Sequence, residues 1–327
     1  MAHVLCLGEV LIDQIAEQVA VPRADVQSWR MCVGGALANV ACGLAKLGTP
    51  VYLISCVGQD RLGKHCVEFL VGQGVRTTAV QVHPHAVTRE VYITRDAKGN
   101  RVFAGFTEQS RTAFADTVMD ARFLAEDLFA EADFLVLGSL GLASEQTSRA
   151  IGRALKLAEK YFVPVVVDLN WRPMFWPQPA LAAPLIRLLL QHADFLKVSA
   201  IEAIEVLRCS SPGALRQMFD HLEGIIVTDD ERECRYLLGD RQSRIPAFAV
   251  EAVDTTGAGD AFLAALIHRL RQRPLAELAD VTYAHEAVRY ACAAGALTTM
   301  GIGAIAPQPN HGTIEAFLSA RTEQQKS

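Results

Sequence analysis

Apolar runs of strand length alternate with stretches of helical periodicity along almost the whole chain, and this alternation is what most limits the folds open to it. The runs lie near 3–8, 51–57, 133–138, 163–169, 193–198 and 224–228, with further β character over 233–249. Helical periodicity falls near 36–47, 61–73, 144–160, 179–192, 212–220, 258–271 and 276–298, several stretches ending in Gly or Pro. Strand, helix, strand in this order builds βαβ units, so the chain reads as α/β, a mostly parallel sheet covered on both faces by helices. With 327 residues it is about twice the usual domain size, yet no Pro/Gly/Ser-rich linker divides it. Residues 1–327 are therefore read as one large domain with an appendage.

One segment breaks the alternation. Arg89-Glu90-Val91-Tyr92-Ile93-Thr94 and Arg101-Val102-Phe103-Ala104-Gly105-Phe106 flank Asp96-Ala97-Lys98-Gly99-Asn100, which reads as a β-hairpin with a Gly-containing loop. Two explanations stand at this point: an edge added to the main sheet, or a lid that closes over a ligand.

Charge narrows the function classes. A net charge of −5 without a basic block argues against nucleic-acid and anionic-membrane partners, which need clustered Lys and Arg. No apolar run approaches the roughly 18 residues of a membrane span. The start, MAHVLCLGEVLIDQ, lacks a basic stretch and is interrupted at Glu9 and Asp13, so it reads as a buried first strand rather than a signal peptide. The eight cysteines are scattered, with no CxxC, and suit reduced thiols in a cytoplasmic protein.

The chemistry concentrates in Val253-Asp254-Thr255-Thr256-Gly257-Ala258-Gly259-Asp260, directly before the helix former Ala261-Phe262-Leu263-Ala264-Ala265-Leu266-Ile267. A Gly-Ala-Gly turn entering a helix makes an anion hole from unpaired first-turn N–H groups and the positive end of the helix dipole. Asp260 in that turn can accept a hydroxyl proton while the amides hold a phosphoryl group. Plain helix capping is the competing explanation.

This segment resembles the hallmark of the ribokinase-like, phosphofructokinase-B type carbohydrate kinases. A second hallmark follows at Val33-Gly34-Gly35-Ala36-Leu37-Ala38-Asn39, and the resemblance continues through Gly8-Glu9-Val10-Leu11-Ile12-Asp13, Val57-Gly58-Gln59-Asp60-Arg61-Leu62-Gly63 and Asp168-Leu169-Asn170-Trp171-Arg172-Pro173-Met174-Phe175-Trp176. The last stretch is most similar to the fructokinase branch. The resemblance implies a ribokinase-like three-layer α/β fold, with a small β lid formed by about 14–32 and 86–111. It implies an ATP-dependent sugar kinase, of fructokinase type, with Mg²⁺ as cofactor and a sugar and ATP as its small-molecule partners. Asp260 is then the base, Gly257, Ala258 and Gly259 the anion hole, and Asp13, Gly34, Gly35, Asn39, Arg172 and Arg111 the substrate contacts. Lys197, Ser199, Glu202 and Thr228 are implied on the nucleotide and Mg²⁺ side, Ser199 and Glu202 standing where the family often has Asn-x-x-Glu. Ser followed three residues later by Glu is also a capping box. Family members often hold a monovalent cation, K⁺, beside the anion hole, and Asp254, Thr256 and the carbonyls of Ala296, Thr299 and Gly301 match those positions. Lids in this family often pair between subunits, which makes a homodimer the implied assembly.

Two departures and one decoy accompany the resemblance. The family's Thr-x-Gly-x-x-Gly beside the nucleotide is here Thr228-Asp229-Asp230-Glu231-Arg232-Glu233, and two added carboxylates would repel a polyphosphate unless they point away. The aromatic run expected before Arg111 is replaced by Gly105-Phe106-Thr107-Glu108-Gln109-Ser110. Gly58-Gln59-Asp60-Arg61-Leu62-Gly63-Lys64-His65 fits a P-loop except at His65, a poor replacement for the hydroxyl that ligates Mg²⁺. Asp60 reads instead as a helix N-cap. Kinases of ribose, sugar acids or nucleosides, and a catalytically silent kinase-like regulatory protein, remain the rival readings.

Overall fold

The computed structural model describes residues 2–97, 101–107 and 114–324. Thirteen strands are formed among them: β1 (His3–Leu7), β2 (Leu11–Ala16), β3 (Trp29–Gly34), β4 (Val51–Gly58), β5 (Val80–His83), β6 (Glu90–Arg95), β7 (Arg101–Phe106), β8 (Ala132–Gly138), β9 (Val165–Asp168), β10 (Phe195–Ser199), β11 (Gly224–Asp229), β12 (Glu233–Leu238) and β13 (Arg241–Pro246). The helices are α1 (Ala36–Lys46), α2 (Arg61–Gly72), α3 (Glu126–Ala130), α4 (Glu145–Lys160), α5 (Ala182–Leu190), the short α6 (Ala200–Glu202) with a π turn after it, α7 (Pro212–Met218), α8 (Ala258–Leu270), α9 (Val281–Thr299) and α10 (His311–Gln324).

Nine strands make the main sheet in the order β13-β12-β11-β10-β9-β8-β1-β4-β5, parallel except that β12 runs antiparallel to both of its neighbours, β11 and β13. The two-residue period of a strand sorts its side chains between two cores. In β1, Val4 and Cys6 enter a core shared with α1, α8 and α9, while Leu5 and Leu7 enter another shared with α4 and α5. Such all-apolar strands fit only a sheet with helices on both faces.

The 89–106 hairpin is not an edge of this sheet. β6 lies parallel to β2, and with β3 and β7 they form a separate four-stranded sheet, β3-β2-β6-β7. Leu11, Val91, Phe106 and Phe114 give it a small core of its own.

Other sequence expectations need adjustment. The helix expected over 276–298 begins as a 3₁₀ turn, Leu275–Ala279, and α9 starts afresh at Val281, capped by Asp280 through the Thr282 N–H at 2.9 Å. That expected over 179–192 opens with a 3₁₀ turn at Pro179–Leu181 and narrows to α5. β2, β3, β5 and α10 were not anticipated as separate elements. β2 and β3 each carry polar residues among the apolar ones, and β5 is only four residues long. Asp60 does cap α2, accepting from the Gly63 N–H at 2.7 Å, and Lys64 points outward beside Glu68. The P-loop look-alike is thus an ordinary helix start.

Candidate active site

Helices α1 and α8 pack so tightly that a Cβ on Gly43 would stand 2.7 Å from the Ala264 Cβ. One turn earlier on the same two faces come Asn39 and Asp260. Asn39 Nδ2 donates to Asp260 Oδ2 at 2.8 Å, joining residues 221 positions apart. Asn39 is buried, and its Oδ1 accepts no hydrogen bond among the described residues.

The turn into α8 depends on Gly257, whose φ of 77° is left-handed and whose Cβ would meet the Ala304 carbonyl at 2.6 Å. The Ala258 N–H already bonds the Thr255 carbonyl at 3.3 Å, and the Ala261 N–H bonds Gly257 at 2.8 Å. Between them, the N–H groups of Gly259 and Asp260 have no backbone partner among the described residues. The Gly257 N–H is likewise without a backbone partner, so two of the three expected amides, Gly257 and Gly259, are free, and Asp260 adds a third.

At the matching end of α1 the N-cap is Gly35, which offers no side chain. Glu9, from the loop after β1, accepts the Ala36 N–H at 2.7 Å instead. Burial pushes the Glu9 carboxyl up to about 7, its own and the Ala36 N–H oppose the rise, and Asp116 and Asp260 add to it.

Beneath the first turn of α8 lies a buried cation. Lys197 Nζ donates to both Asp168 oxygens at 3.1 and 3.0 Å, and a Cβ on Gly259 would lie 2.8 Å from that nitrogen. Burial works to lower the Lys197 pKa, but the charges of Asp168, Glu202 and Asp260 outweigh it, so the ammonium persists. Burial raises the Asp260 carboxyl above its ordinary value, opposed first by Lys197 and then by Asn39 and Arg172.

Asp168 and Ser199 terminate β9 and β10, and Thr228 is the last residue but one of the adjacent β11, at the end of a parallel sheet where ligands bind. Ser199 and Glu202 form the capping box: the Ser199 N–H donates to Glu202 Oε2 at 2.9 Å and the Glu202 N–H to Ser199 Oγ at 3.3 Å. Glu202 Oε1 also accepts the Trp171 N–H at 2.8 Å and stands 3.5 Å from Arg172 Nη1. Arg172 is half-exposed, and its charge is among those that oppose the rise of the Asp260 carboxyl. Asp230, in a left-handed turn, is exposed, and Glu233 lies between Arg235 at 3.6 Å and Arg244 at 3.5 Å. The added carboxylates are thus directed to solvent or neutralised.

From the second sheet, Asp13 on β2 accepts no hydrogen bond among the described residues, and burial lifts its carboxyl to about 6 against the pull of Arg101. Gly34 and Gly35 end β3 beside it, a Gly34 Cβ falling 2.8 Å from Asp13 Oδ2. Arg111 lies outside the described residues.

The residues implied for a monovalent cation do not fit one. Asp254 Oδ1 accepts Thr256 N–H at 3.1 Å and Thr256 Oγ at 2.6 Å, while Oδ2 accepts the Gly303 N–H at 2.9 Å and Arg101 Nη2 at 2.6 Å. The Thr299 carbonyl takes the Val253 and Asp254 N–H groups at 2.7 and 3.1 Å, and the Ala296 carbonyl takes Thr299 Oγ at 2.7 Å. With Arg101 in place the Asp254 carboxylate and the Thr299 carbonyl hold their full complement of donors, while the Gly301 carbonyl accepts none among the described residues.

Sequence reasoning missed Glu9, Asp168, Arg101 and the buried ion pair of Arg89 and Asp116 at 2.9 Å. Arg89 is enclosed by Phe106, Phe114 and Phe175, and a cavity of about 320 Å³ opens beside it, lined also by Gly8, Glu9 and Thr147. A charge inside an apolar run is the signal that could have marked Glu9 and Asp168, because buried charges persist only when paired or functional.

Comparison with known proteins agrees with this arrangement. The family model described as "pfkB family carbohydrate kinase" matches residues 1–311. Among curated proteins, the chain is 32% identical to probable fructokinase-6, chloroplastic, of Arabidopsis thaliana, covering 97% of this chain and 83% of that one. It is 31% identical to fructokinase-2 of Oryza sativa subsp. japonica, over 97% and 94%. Among solved structures, the fructokinase with bound ATP from Xylella fastidiosa superposes with a TM-score of 0.88 at 24% identity, over 98% and 99% of the two chains. A Vibrio cholerae fructokinase double mutant in fructose, ADP and potassium ion bound form gives 0.85 at 25% identity, over 97% and 98%. With α8 opening on free amides beside a carboxylate, and with near full-length matches to such kinases, the chain belongs to the pfkB family of carbohydrate kinases, phosphotransferases with an alcohol group as acceptor.

Proposed function

We propose that the protein phosphorylates D-fructose with ATP, using Asp260 as the base. The observation that carries the reading is the position of Asp260: in the first turn of α8, hydrogen-bonded to Asn39, with unpaired amides beside it and the Lys197 ammonium beneath. Asp260 takes the proton of the attacking hydroxyl, which leaves a nucleophilic oxygen facing the γ-phosphoryl group. The N–H groups of Gly259 and Asp260 hold the transferring oxygens, and Lys197 opposes the rise that burial imposes on the Asp260 carboxyl. Glu202 is the carboxylate that would hold Mg²⁺ brought by the nucleotide, and the ion would supply charge neutralisation for the phosphates.

Asn39 Oδ1 and the Asp13 carboxylate, both without donors, suit the hydroxyls of a sugar, and the Arg172 charge acts on Asp260. Fructose is favoured by the fructokinases among the relatives and by the fructose-bound Vibrio cholerae structure. The four-stranded sheet is the lid, and its closure excludes water that would otherwise hydrolyse ATP. Among the described residues no helix is long and apolar enough to cross a membrane, and all eight cysteines are free, as suits a protein of the cytoplasm.

An ADP-coupled assay with fructose, ribose, 2-keto sugar acids and nucleosides tests both claims. Fructose is expected to turn over fastest, and Asp260→Asn is expected to lower kcat by about 10³-fold with fructose binding retained in calorimetry. Equal turnover by the variant removes Asp260 as the base, and preferred turnover of another acceptor replaces fructose.

A further inference from the structure

Arg101 begins β7, at the edge of the four-stranded sheet, yet its guanidinium reaches Asp254, six residues before Asp260. The Nη2–Oδ2 distance is 2.6 Å, and the pair is largely shielded, with side chains 22% and 14% exposed. Burial would raise the Asp254 carboxyl, but donors from Thr256 and Gly303 and the Arg101 charge hold it below its ordinary value. Asp254 is thus an anion with all four acceptor positions filled and one positive charge beside it.

That charge rests on Asp254, one of the residues to which the family resemblance assigns K⁺, and the carbonyls of Thr299 and Ala296 accept internal donors. We infer that Arg101 is the resident cation of this kinase: a guanidinium supplied by the second sheet neutralises Asp254 behind the anion hole and makes phosphoryl transfer independent of monovalent cations. The inference rests on the α8 turn being the phosphoryl site. It makes Arg101 a positioning residue, because it acts on the turn through Asp254 and touches neither substrate. It also ties the arrangement of the turn to the position of β7. A bound K⁺ would be indifferent to that position.

The test compares the parent with Arg101→Gln and Arg101→Ala in potassium chloride and in choline chloride at equal ionic strength, reading both fructose turnover and melting temperature. The parent is expected to turn over and melt alike in the two salts. Each variant is expected to lose about tenfold in turnover in choline and regain most of it in potassium, within the usual span of coupling between an effector and a site. Each is also expected to melt about 2 °C or more higher in potassium, since a site opened to a cation is stabilised by its occupant. Potassium activation or stabilisation of the parent overturns the inference, and so do variants blind to potassium. A parent that phosphorylates nothing in either salt counts against the kinase reading, and the melting temperatures still decide whether Arg101 displaces the cation.

Discussion

A glutamate at the positive end of a helix is ordinarily held ionised, yet burial in this site wins and pushes Glu9 up to about 7. The sign of its contribution follows. Between the ordinary carboxyl range and about pH 7 the folded chain binds more protons at Glu9 than the unfolded chain, so stability is present at low pH and is lost as pH rises through about 7. Glu9→Gln keeps an oxygen for the Ala36 N–H and removes the charge. Urea unfolding is expected to show the parent losing up to roughly 3 kcal/mol relative to this variant between about pH 5 and pH 8. Parallel pH profiles would mean that Glu9 ionises freely. Asp13, lifted to about 6, predicts a companion effect on ligand: fructose binding should strengthen as pH rises from about 5 to 7, because a carboxylate accepts two hydroxyls better than a carboxylic acid does. Calorimetric titrations at the two pH values check it, and an Asp13→Asn variant should lose the dependence.

At the scale of elements, the pairing of α1 with α8 fixes the distance between Asn39 and Asp260. Gly43→Val forces a branched side chain against Ala264 and Gln308, and should cost about 1–3 kcal/mol and reduce turnover through the displaced Asn39. Denaturation curves and kcat read the two effects separately. The buried pair at the ends of β9 and β10 behaves differently. Lys197→Met strands Asp168 as an unpaired buried charge, with an expected loss of about 3–5 kcal/mol, and adding Asp168→Leu should recover most of it. If the double variant is no more stable than the single one, the pair has little coupling. These elements also mark how far the sequence could be read. β1, β8 and β11 announced themselves because both faces are apolar, and Asp260 because glycines and a carboxylate stand at a helix start. β2 and β3 were obscured by Asp13, Gln14 and Arg30, side chains that face an open site or solvent and so break the apolar pattern. Arg101 was invisible as a site residue, since nothing near it in sequence shows that β7 folds back onto residue 254.

For the whole molecule, two sheets share one site, and the smaller can respond to what the larger binds. With fructose and a non-hydrolysable ATP analogue together, amide exchange in β6 and β7 is expected to slow by about tenfold, while β8 stays unchanged. Uniform exchange with and without ligands would refute closure. The order of the main sheet carries a last consequence. β1 lies between β8 and β4, so it cannot be flanked on both sides until residue 138 has emerged from the ribosome. Asn39 waits longer still, for a partner 221 residues downstream. At about 5–20 residues per second, the nascent chain spends on the order of ten seconds or more with a half-built sheet and no base. The candidate site is therefore assembled only after α8 has emerged and docked on α1.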